Sequence, residues 1–345
     1  MGSFSGPIGQ PEKANLTSNN DALHNTVLFN AYADNHLQPD TPNPAPRPII
    51  PTDVDDEKSH APGKPTGAHP VRGKRRSATH WSVADIAWNR IDLEKARNDL
   101  TTYYVVTAAS FIETAADLYT GNLVEHFPDP TTQQWLINYW QPEELQHGLA
   151  LRTYVQTVWP ELDWERGYDG FLGEYSQLCT MDELETSRAL EMVARCVVEA
   201  GTSTFYTTLQ NSTAEPVLKH LAGLIRQDEV SHYNHFRHYF QTYQKQERVG
   251  RIGVVRSLYK RFTEAENEDA YIGLKHAWLM RHPGETFNEK QFEPLNRELR
   301  ALLKGHYPYR MALKMLLQPL ALNRALVRLS LPLLEGVARR LMFKS

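Results

Sequence analysis

The 345-residue chain contains only two cysteines, Cys179 and Cys196. Two cysteines exclude a disulfide-based fold, a four-cysteine zinc site and a rubredoxin-type or iron–sulfur module, because each of these needs more thiols. If the protein carries out redox chemistry, its electrons must therefore come from a separate protein.

The chain also lacks a strong charge excess and a long apolar run. Its 37 Lys plus Arg and 41 Asp plus Glu give a formal net charge of -4, which does not favour nucleic acid as a partner. Arg or Lys interrupts every apolar run before the roughly 18 residues that a membrane-spanning helix needs, and residues 1–20 do not resemble a signal peptide. We therefore expect a soluble, cytoplasmic protein without a transmembrane span.

Strand-like alternation of polar and apolar residues is missing as well. Residues 1–80 hold 11 of the 21 prolines and little apolar periodicity, which predicts a disordered or extended leader. From Trp81 onwards, apolar residues recur at steps of three and four, as they do in helices. Residues 81–345 are therefore predicted to form an all-α domain.

The predicted helices suggest two hairpins joined by one long crossover. The first four are expected at residues 83–126, 131–158, 183–212 and 214–245, with a long connection over residues 159–182. This is the connectivity of a ferritin-like four-helix bundle. Additional C-terminal helices are predicted at residues 250–282, 287–305 and 309–343.

The C-terminal segment is basic as well as apolar. Residues 310–345 carry seven Arg and Lys against a single acid, Glu335, on a leucine-rich helical pattern. We interpret this segment as a packed helix whose arginines extend to solvent. A docking surface for an acidic partner or a membrane is the alternative.

Two Glu-x-x-His pairs lie within apolar stripes of the predicted second and fourth helices. They are Glu144 with His147 and Glu229 with His232. Residues three apart on a helix lie about 60° apart and roughly one turn along, so both side chains can reach one ion. The alternative is that both histidines are ordinary hydrogen-bonded core residues.

A single glutamate in an apolar helical segment precedes each pair. Glu113 lies 31 residues before Glu144, and Glu199 lies 30 residues before Glu229. Four buried carboxylates would be unfavourable without positive charge, which two divalent ions would supply. Mixed carboxylate and imidazole ligands favour iron or manganese. The predicted ligands are Glu113, Glu144, His147, Glu199, Glu229 and His232.

These motifs resemble those of the soluble acyl carrier protein desaturases, which are di-iron members of the ferritin-like superfamily. The resemblance covers roughly residues 100–240 and includes the acid before each metal-binding pair, Glu143 and Asp228, and Thr202 after the third glutamate. It implies two iron ions and an enzyme that activates dioxygen to desaturate or hydroxylate a C–H bond. The implied substrate is a fatty acyl chain linked to a carrier, and the implied electron donor is ferredoxin-like.

The resemblance also implies roles for residues beside the ligands. Glu143 and Asp228 would each accept a hydrogen bond from the metal-bound imidazole of the opposite hairpin, unless they face solvent. Thr202 would lie at the dioxygen pocket and assist proton delivery, unless its hydroxyl bonds the carbonyl one turn back. A homodimer is a further expectation.

A desaturase-like enzyme needs an apolar channel that passes the metals. Ala109, Ala116 and Gly201 lie close to the single glutamates and are small enough to border such a channel. Core packing between close helices is the alternative explanation for these small residues.

Other functions remain open on the ligand pattern. A di-iron N-oxygenase of arylamines would carry a further histidine one turn before the last pair, where this chain has Ile225. An oxidative decarboxylase or bond-cleaving oxidase would use the same ligands. Iron storage or detoxification belongs to another class, and the chain length and additional helices weigh against it.

Overall fold

The computed structural model describes residues 81–265 and 269–341, which belong to one unit of the chain. Every regular element in these ranges is helical and none of their residues lies in a strand, so the all-α prediction is confirmed. The predicted leader over residues 1–80 lies outside the described ranges. No helix within them is both long and apolar enough to cross a bilayer.

The described ranges contain thirteen α-helices. In chain order they are α1 (Leu93–Asn98), α2 (Leu100–Thr114), α3 (Ala116–His126), α4 (Pro130–Trp135), α5 (Gln141–Val158), α6 (Trp164–Tyr175), α7 (Arg188–Ser212), α8 (Pro216–Glu247), α9 (Arg251–Ala265), α10 (Asp269–Arg281), α11 (Glu289–His306), α12 (Tyr309–Leu317) and α13 (Arg324–Leu341).

Two antiparallel helix pairs carry the predicted ligands. The first pair is α2 and α5. Arg97, in α1 just before α2, donates a hydrogen bond to the carbonyl of Val158 at the end of α5 (2.7 Å). Gly148 of α5 packs against the end of α2. In the second pair, Ser187 before α7 donates to Glu247 at the end of α8 (2.5 Å). These end-to-end contacts fix the register of each pair and bring its glutamates to the same level.

Apolar side chains fill the bundle on both sides of that level. One cluster contains buried residues of α2 and of the second halves of α5 and α7, such as Phe111, Leu151 and Tyr206. The other surrounds the start of α7 and the second half of α8, with Met192 and Phe236 among its members. The polar ligand side chains therefore lie between two apolar clusters.

The predicted single helix over residues 83–126 is wrong, because the segment contains three α-helices preceded by short 3₁₀ turns. Two aspartates begin new helices within it. The side chain of Asp92 accepts a hydrogen bond from the backbone of Lys95, and Asp99 does the same for Thr102. Aspartate favours such caps over helix interiors because its carboxylate bonds free backbone N–H groups.

The predicted connection over residues 159–182 contains a helix, α6, that the sequence pattern did not indicate. Helix α6 contains three glycines, and two of them are points of close helix packing. A Cβ atom at Gly167 would lie 3.0 Å from the Phe111 ring, and one at Gly170 would lie 2.5 Å from the His276 ring. Glycine is therefore used here for close approach rather than for a turn.

Two predicted C-terminal helices each correspond to a pair of helices. Residues 250–282 hold α9 and α10, between which residues 266–268 lie outside the described ranges. Residues 309–343 hold α12 and α13, separated by a short 3₁₀ turn and by Ala321 in the left-handed region (φ 47°).

Replacing Gly148 with alanine is expected to destabilise the fold. The added Cβ would lie 2.6 Å from the backbone nitrogen of Thr114, so α2 and α5 would have to separate. We expect Gly148→Ala to lower the free energy of unfolding of metal-free protein by about 1–3 kcal/mol in chemical denaturation. Gly121→Ala is the control, because no atom lies within 4 Å of its Cβ and it should gain about 0.5–1 kcal/mol.

Candidate metal centre

Six side chains from four helices meet at one level of the bundle, and all six are buried. The most exposed is Glu113, at 6%. Helices α2 and α7 each provide one glutamate, whereas α5 and α8 each provide a glutamate and a histidine. The six residues are Glu113, Glu144, His147, Glu199, Glu229 and His232.

These side chains form two overlapping groups that could each hold a metal ion. Within each group, one ligand atom from every residue lies within 4.8 Å of the others. This is close to the roughly 4 Å that separates two donors on opposite sides of one ion. The first group is Glu113, Glu144, His147 and Glu229, and the second is Glu144, Glu199, Glu229 and His232. Glu144 and Glu229 belong to both groups, so each could serve as a ligand in either one.

Both imidazoles turn the Nδ1 atom towards the carboxylates. Nδ1 of His147 lies 3.2 Å from Oε1 of Glu229 and 3.5 Å from Oε2 of Glu144. Nδ1 of His232 lies 3.1 Å from Oε1 of Glu144 and 3.6 Å from Oε2 of Glu199. The nitrogen lone pairs and the carboxylate oxygens therefore converge on the same small volume.

The Nε2 atom of each imidazole faces an acid on the opposite hairpin. Nε2 of His147 lies 3.2 Å from Oδ2 of Asp228, and Nε2 of His232 lies 2.7 Å from Oε2 of Glu143. An Nε2–H group that donates to a carboxylate leaves Nδ1 as the acceptor, which is the tautomer a metal requires. Neither acid faces away from the site, although the Glu143 side chain is 29% exposed.

The sequence pattern did not identify Trp81 as part of this arrangement. Its indole Nε1–H donates to Oδ2 of Asp228 (2.7 Å), and its ring lies parallel to the imidazole of His147 with centroids 6.1 Å apart. Trp81 and Asp228 are 147 positions apart in sequence, so helical periodicity carries no signal for this contact. Trp81 helps to hold Asp228 against the imidazole.

The two single glutamates each accept a hydrogen bond from an aromatic donor. The Tyr206 hydroxyl donates to Oε1 of Glu113 (2.5 Å), and the Trp140 indole donates to Oε1 of Glu199 (3.2 Å). Neither of these two contacts was predicted from the sequence. Each donor orients one carboxylate and occupies only one of its two oxygens.

Thr202 contacts one of the glutamates shared by the two groups. Its hydroxyl donates to Oε2 of Glu229 (2.6 Å), and the carbonyls of Val198 and Glu199 lie farther away, at 3.4 and 3.3 Å. The carboxylate is therefore the closer partner, and the carbonyl one turn back is secondary.

A π-helical segment, Leu136–Trp140, leads directly into α5 and was not predicted. Pro142 explains its position, because proline in a helix interior has no N–H for the carbonyl one turn back. The wider π turn precedes Pro142, which lies instead in the first turn of α5. Glu144 and His147 consequently lie on an uninterrupted α-helix.

Charge interactions shift the pKa values of the cluster. Burial, together with the neighbouring carboxylates, raises the pKa of Glu113 and Glu199 well above the usual range. Burial lowers the pKa of His147 and His232, but hydrogen bonds and charges from the carboxylates outweigh it and raise both values. Burial raises the pKa of Glu144, yet the two imidazoles outweigh it and lower this value. The carboxylates therefore attract positive charge into the site.

The donor set fits metal ions. Four buried ligand atoms have no hydrogen-bond partner within the part of the chain that the structure describes: Nδ1 of His147, Nδ1 of His232, Oε2 of Glu199 and Oε1 of Glu229. A buried polar atom without a partner lowers the free energy of unfolding. Among these four, Nδ1 of His147 lies nearest Oε1 of Glu229, and Nδ1 of His232 lies nearest Oε2 of Glu199. Divalent cations would satisfy all of them and balance the four carboxylates.

An apolar cavity of about 280 Å³ adjoins the cluster. Glu113 and Thr202 line its polar end, and Ala109 and Gly201 border it as the sequence suggested. Ala116 does not line it, so that prediction is wrong: Ala116 is fully buried at the start of α3, beyond the end of α2.

No protein-family model matches the chain, and a comparison with curated proteins finds no match. Function must therefore be inferred from the side chains of this site and from the motifs that contain them.

Replacing Asp228 with asparagine is expected to weaken metal binding without abolishing it. The amide keeps the size of the side chain but is a poorer acceptor for the Nε2–H of His147, so the imidazole becomes a weaker ligand. We expect the affinity for Fe²⁺ or Mn²⁺ to fall about 10–100-fold in chelator competition, with the binding stoichiometry unchanged. Asp169→Asn, at an exposed acid of α6, is the matched control. Unchanged affinity in Asp228→Asn would contradict this role.

Proposed function

We propose that the protein is a di-iron carboxylate oxygenase or oxidase that activates dioxygen and desaturates or hydroxylates a C–H bond of a fatty acyl chain. Six buried side chains would hold the two metal ions, for which manganese is the second candidate. A ferredoxin-like protein would supply the electrons, and a carrier would deliver the acyl chain.

One observation carries this proposal: the two groups of potential ligands share Glu144 and Glu229. Two carboxylates common to both groups support a pair of ions bridged by glutamates rather than two independent sites. Four carboxylates and two divalent ions together give a neutral cluster, which lowers the cost of burial. Carboxylate and imidazole ligands without thiolates are typical of iron and manganese sites.

Iron bound here would pass electrons from the ferredoxin-like donor to dioxygen. The chain's own groups would hold and orient it. Asp228 and Glu143 keep both imidazoles in the tautomer that presents Nδ1, and Tyr206 and Trp140 orient the two single glutamates. Oγ1 of Thr202 lies 2.6 Å from Oε2 of Glu229 at the edge of the cavity, so its hydroxyl would hold a proton at this point.

The cavity supports an aliphatic substrate. The lining includes Asp269 and several hydroxyl groups, but most of it is aliphatic, with side chains such as Val105, Leu209 and Leu299, so it favours an aliphatic chain. Its volume of about 280 Å³ lies just below the range for small-molecule sites, roughly 300–1,000 Å³. An apolar cavity beside the ligands is not needed for iron storage, so its presence favours catalysis.

Metal content tests the first part of the proposal. Protein loaded anaerobically with Fe²⁺ is expected to bind about two ions per chain, because the two groups share their bridging residues. Glu144→Ala and His232→Ala should lower this number sharply, as measured by elemental analysis after desalting. Asp117→Ala, at an exposed acid of α3, should not change it. Uptake far above two ions per chain would favour storage, and no retained metal in wild-type protein would contradict a metal centre.

Filling the cavity tests the second part. Gly201 borders the cavity and no atom lies within 4 Å of its Cβ position, so Gly201→Leu adds bulk without a backbone clash. We expect this variant to keep both metals and the wild-type thermal stability while losing turnover of long acyl chains, assayed with ferredoxin, its reductase and dioxygen. Gly173→Leu, at an equally open position of α6 outside the cavity, is the control. A Gly201→Leu variant that still accepts long chains rules out this cavity as the substrate site.

A further inference from the structure

Helix α13 has apolar side chains on two sides, and only one of them is packed. Leu331 is 4% exposed on the side that faces the rest of the protein, where α13 contacts α12. On another side, four aliphatic side chains recur at steps of three and four and form a continuous stripe. Their exposed fractions are 58% for Leu326, 79% for Leu329, 72% for Leu333 and 45% for Val337.

A second exposed aliphatic pair lies beside the start of this helix. The guanidinium of Arg251, at the start of α9, reaches the carbonyl of Ala321 (3.5 Å) in the turn that leads into α13. The following residues of α9 include Ile252, 87% exposed, and Val255, 50% exposed. We call these two residues together with Leu326, Leu329, Leu333 and Val337 the α9–α13 face, and every one of the six side chains is at least 45% exposed.

The charged side chains around the stripe are almost all cations. Arg339 is paired with Glu335 (3.0 Å) and lies over the ring of Tyr309. Arg324, Arg328 and Arg340 are exposed and make no ion pair with any residue in the described ranges. Since Glu335 is the only acid of α13 and is already paired, the helix carries a net positive charge beside its exposed leucines.

We propose that the α9–α13 face is a peripheral membrane-binding surface for bilayers that contain anionic lipids. The aliphatic stripe would insert at the boundary between headgroups and acyl chains, and the arginines would contact lipid phosphates. An exposed aliphatic stripe combined with cations on one helix is the pattern of an in-plane amphipathic helix. The proposal does not depend on the metal centre.

A membrane fits this face better than another protein does. In a symmetric dimer the same patch meets itself, which would bring the unpaired arginines of the two copies together. Protein interfaces are enriched in aromatic residues and methionine, whereas the exposed stripe of α13 contains only leucine and valine. Anionic lipid supplies both the apolar phase for the leucines and the negative charge for the arginines.

Vesicle co-sedimentation tests the proposal with the full-length protein. Vesicles of phosphatidylcholine mixed with phosphatidylglycerol should bind the protein, and vesicles of phosphatidylcholine alone should bind it much more weakly. The double variant Leu329→Ser/Leu333→Ser should reduce the partition coefficient about tenfold or more, because two aliphatic anchors are lost. Arg324→Gln/Arg328→Gln should weaken binding and its dependence on salt. Leu93→Ser and Arg166→Gln, exposed residues of α1 and α6, are the matched controls.

Each outcome of this experiment decides for or against the proposal. Thermal unfolding and circular dichroism of every variant establish that the fold is unchanged, as expected for exposed positions. Absence of binding to the anionic vesicles overturns the proposal. Binding that depends on the arginines but not on Leu329 and Leu333 also overturns it, because the aliphatic stripe would then not insert into the bilayer. A dimer in solution that Leu329→Ser/Leu333→Ser converts to a monomer assigns the face to a second copy instead.

Discussion

Burial of four carboxylates at one level of a helical bundle is the constraint on which the rest of the site depends. Each unpaired buried charge costs several kcal/mol, so the surrounding side chains must supply positive charge or hydrogen bonds. Donors do so around the cluster: Tyr206 for Glu113, Trp140 for Glu199 and Thr202 for Glu229. Because each donor engages one oxygen, the carboxylates remain able to bind cations. Positive charge entering the centre would stabilise the arrangement further, and the grouping of these side chains is one that could hold metal ions.

The two hairpins repeat each other in sequence but differ in how they support their imidazoles. Asp228 is buried and receives a second hydrogen bond from Trp81, whereas Glu143 is partly exposed. The acid facing His147 is therefore held more rigidly and is better shielded from water than the acid facing His232. Carboxylates that support a ligand strengthen it most where water cannot compete. Two ions bound in this centre would consequently have unequal environments despite similar ligands.

Local sequence patterns predicted the ligand helices and the convergence of their side chains. The three-residue spacing of each Glu-x-x-His pair lies within one helix, and the spacing of about thirty residues between glutamates lies within one hairpin, so both can be read from the sequence. Features that depend on distant contacts were missed. Trp81 and Tyr206 reach the site across the bundle, and the glycines of α6 permit helix packing rather than a turn. Periodicity also reports which side of a helix is apolar but not whether another element covers it. The packed interpretation of residues 310–345 was therefore incomplete, since four large aliphatic side chains of α13 are exposed.

The four ligand helices contribute unequally to the metal-ligand cluster and to the cavity beside it. Both histidines and both shared glutamates come from α5 and α8, yet neither helix contributes to the lining of the described cavity. That lining comes from α2 and α7, which each carry a single glutamate, and from α10, α11 and α12. Glu113, Thr202 and Tyr206 are polar side chains that belong to both the cavity and the cluster. Because Trp81, Asp228 and Glu143 do not line the cavity, the residues that support the imidazoles could be varied without changing the cavity lining.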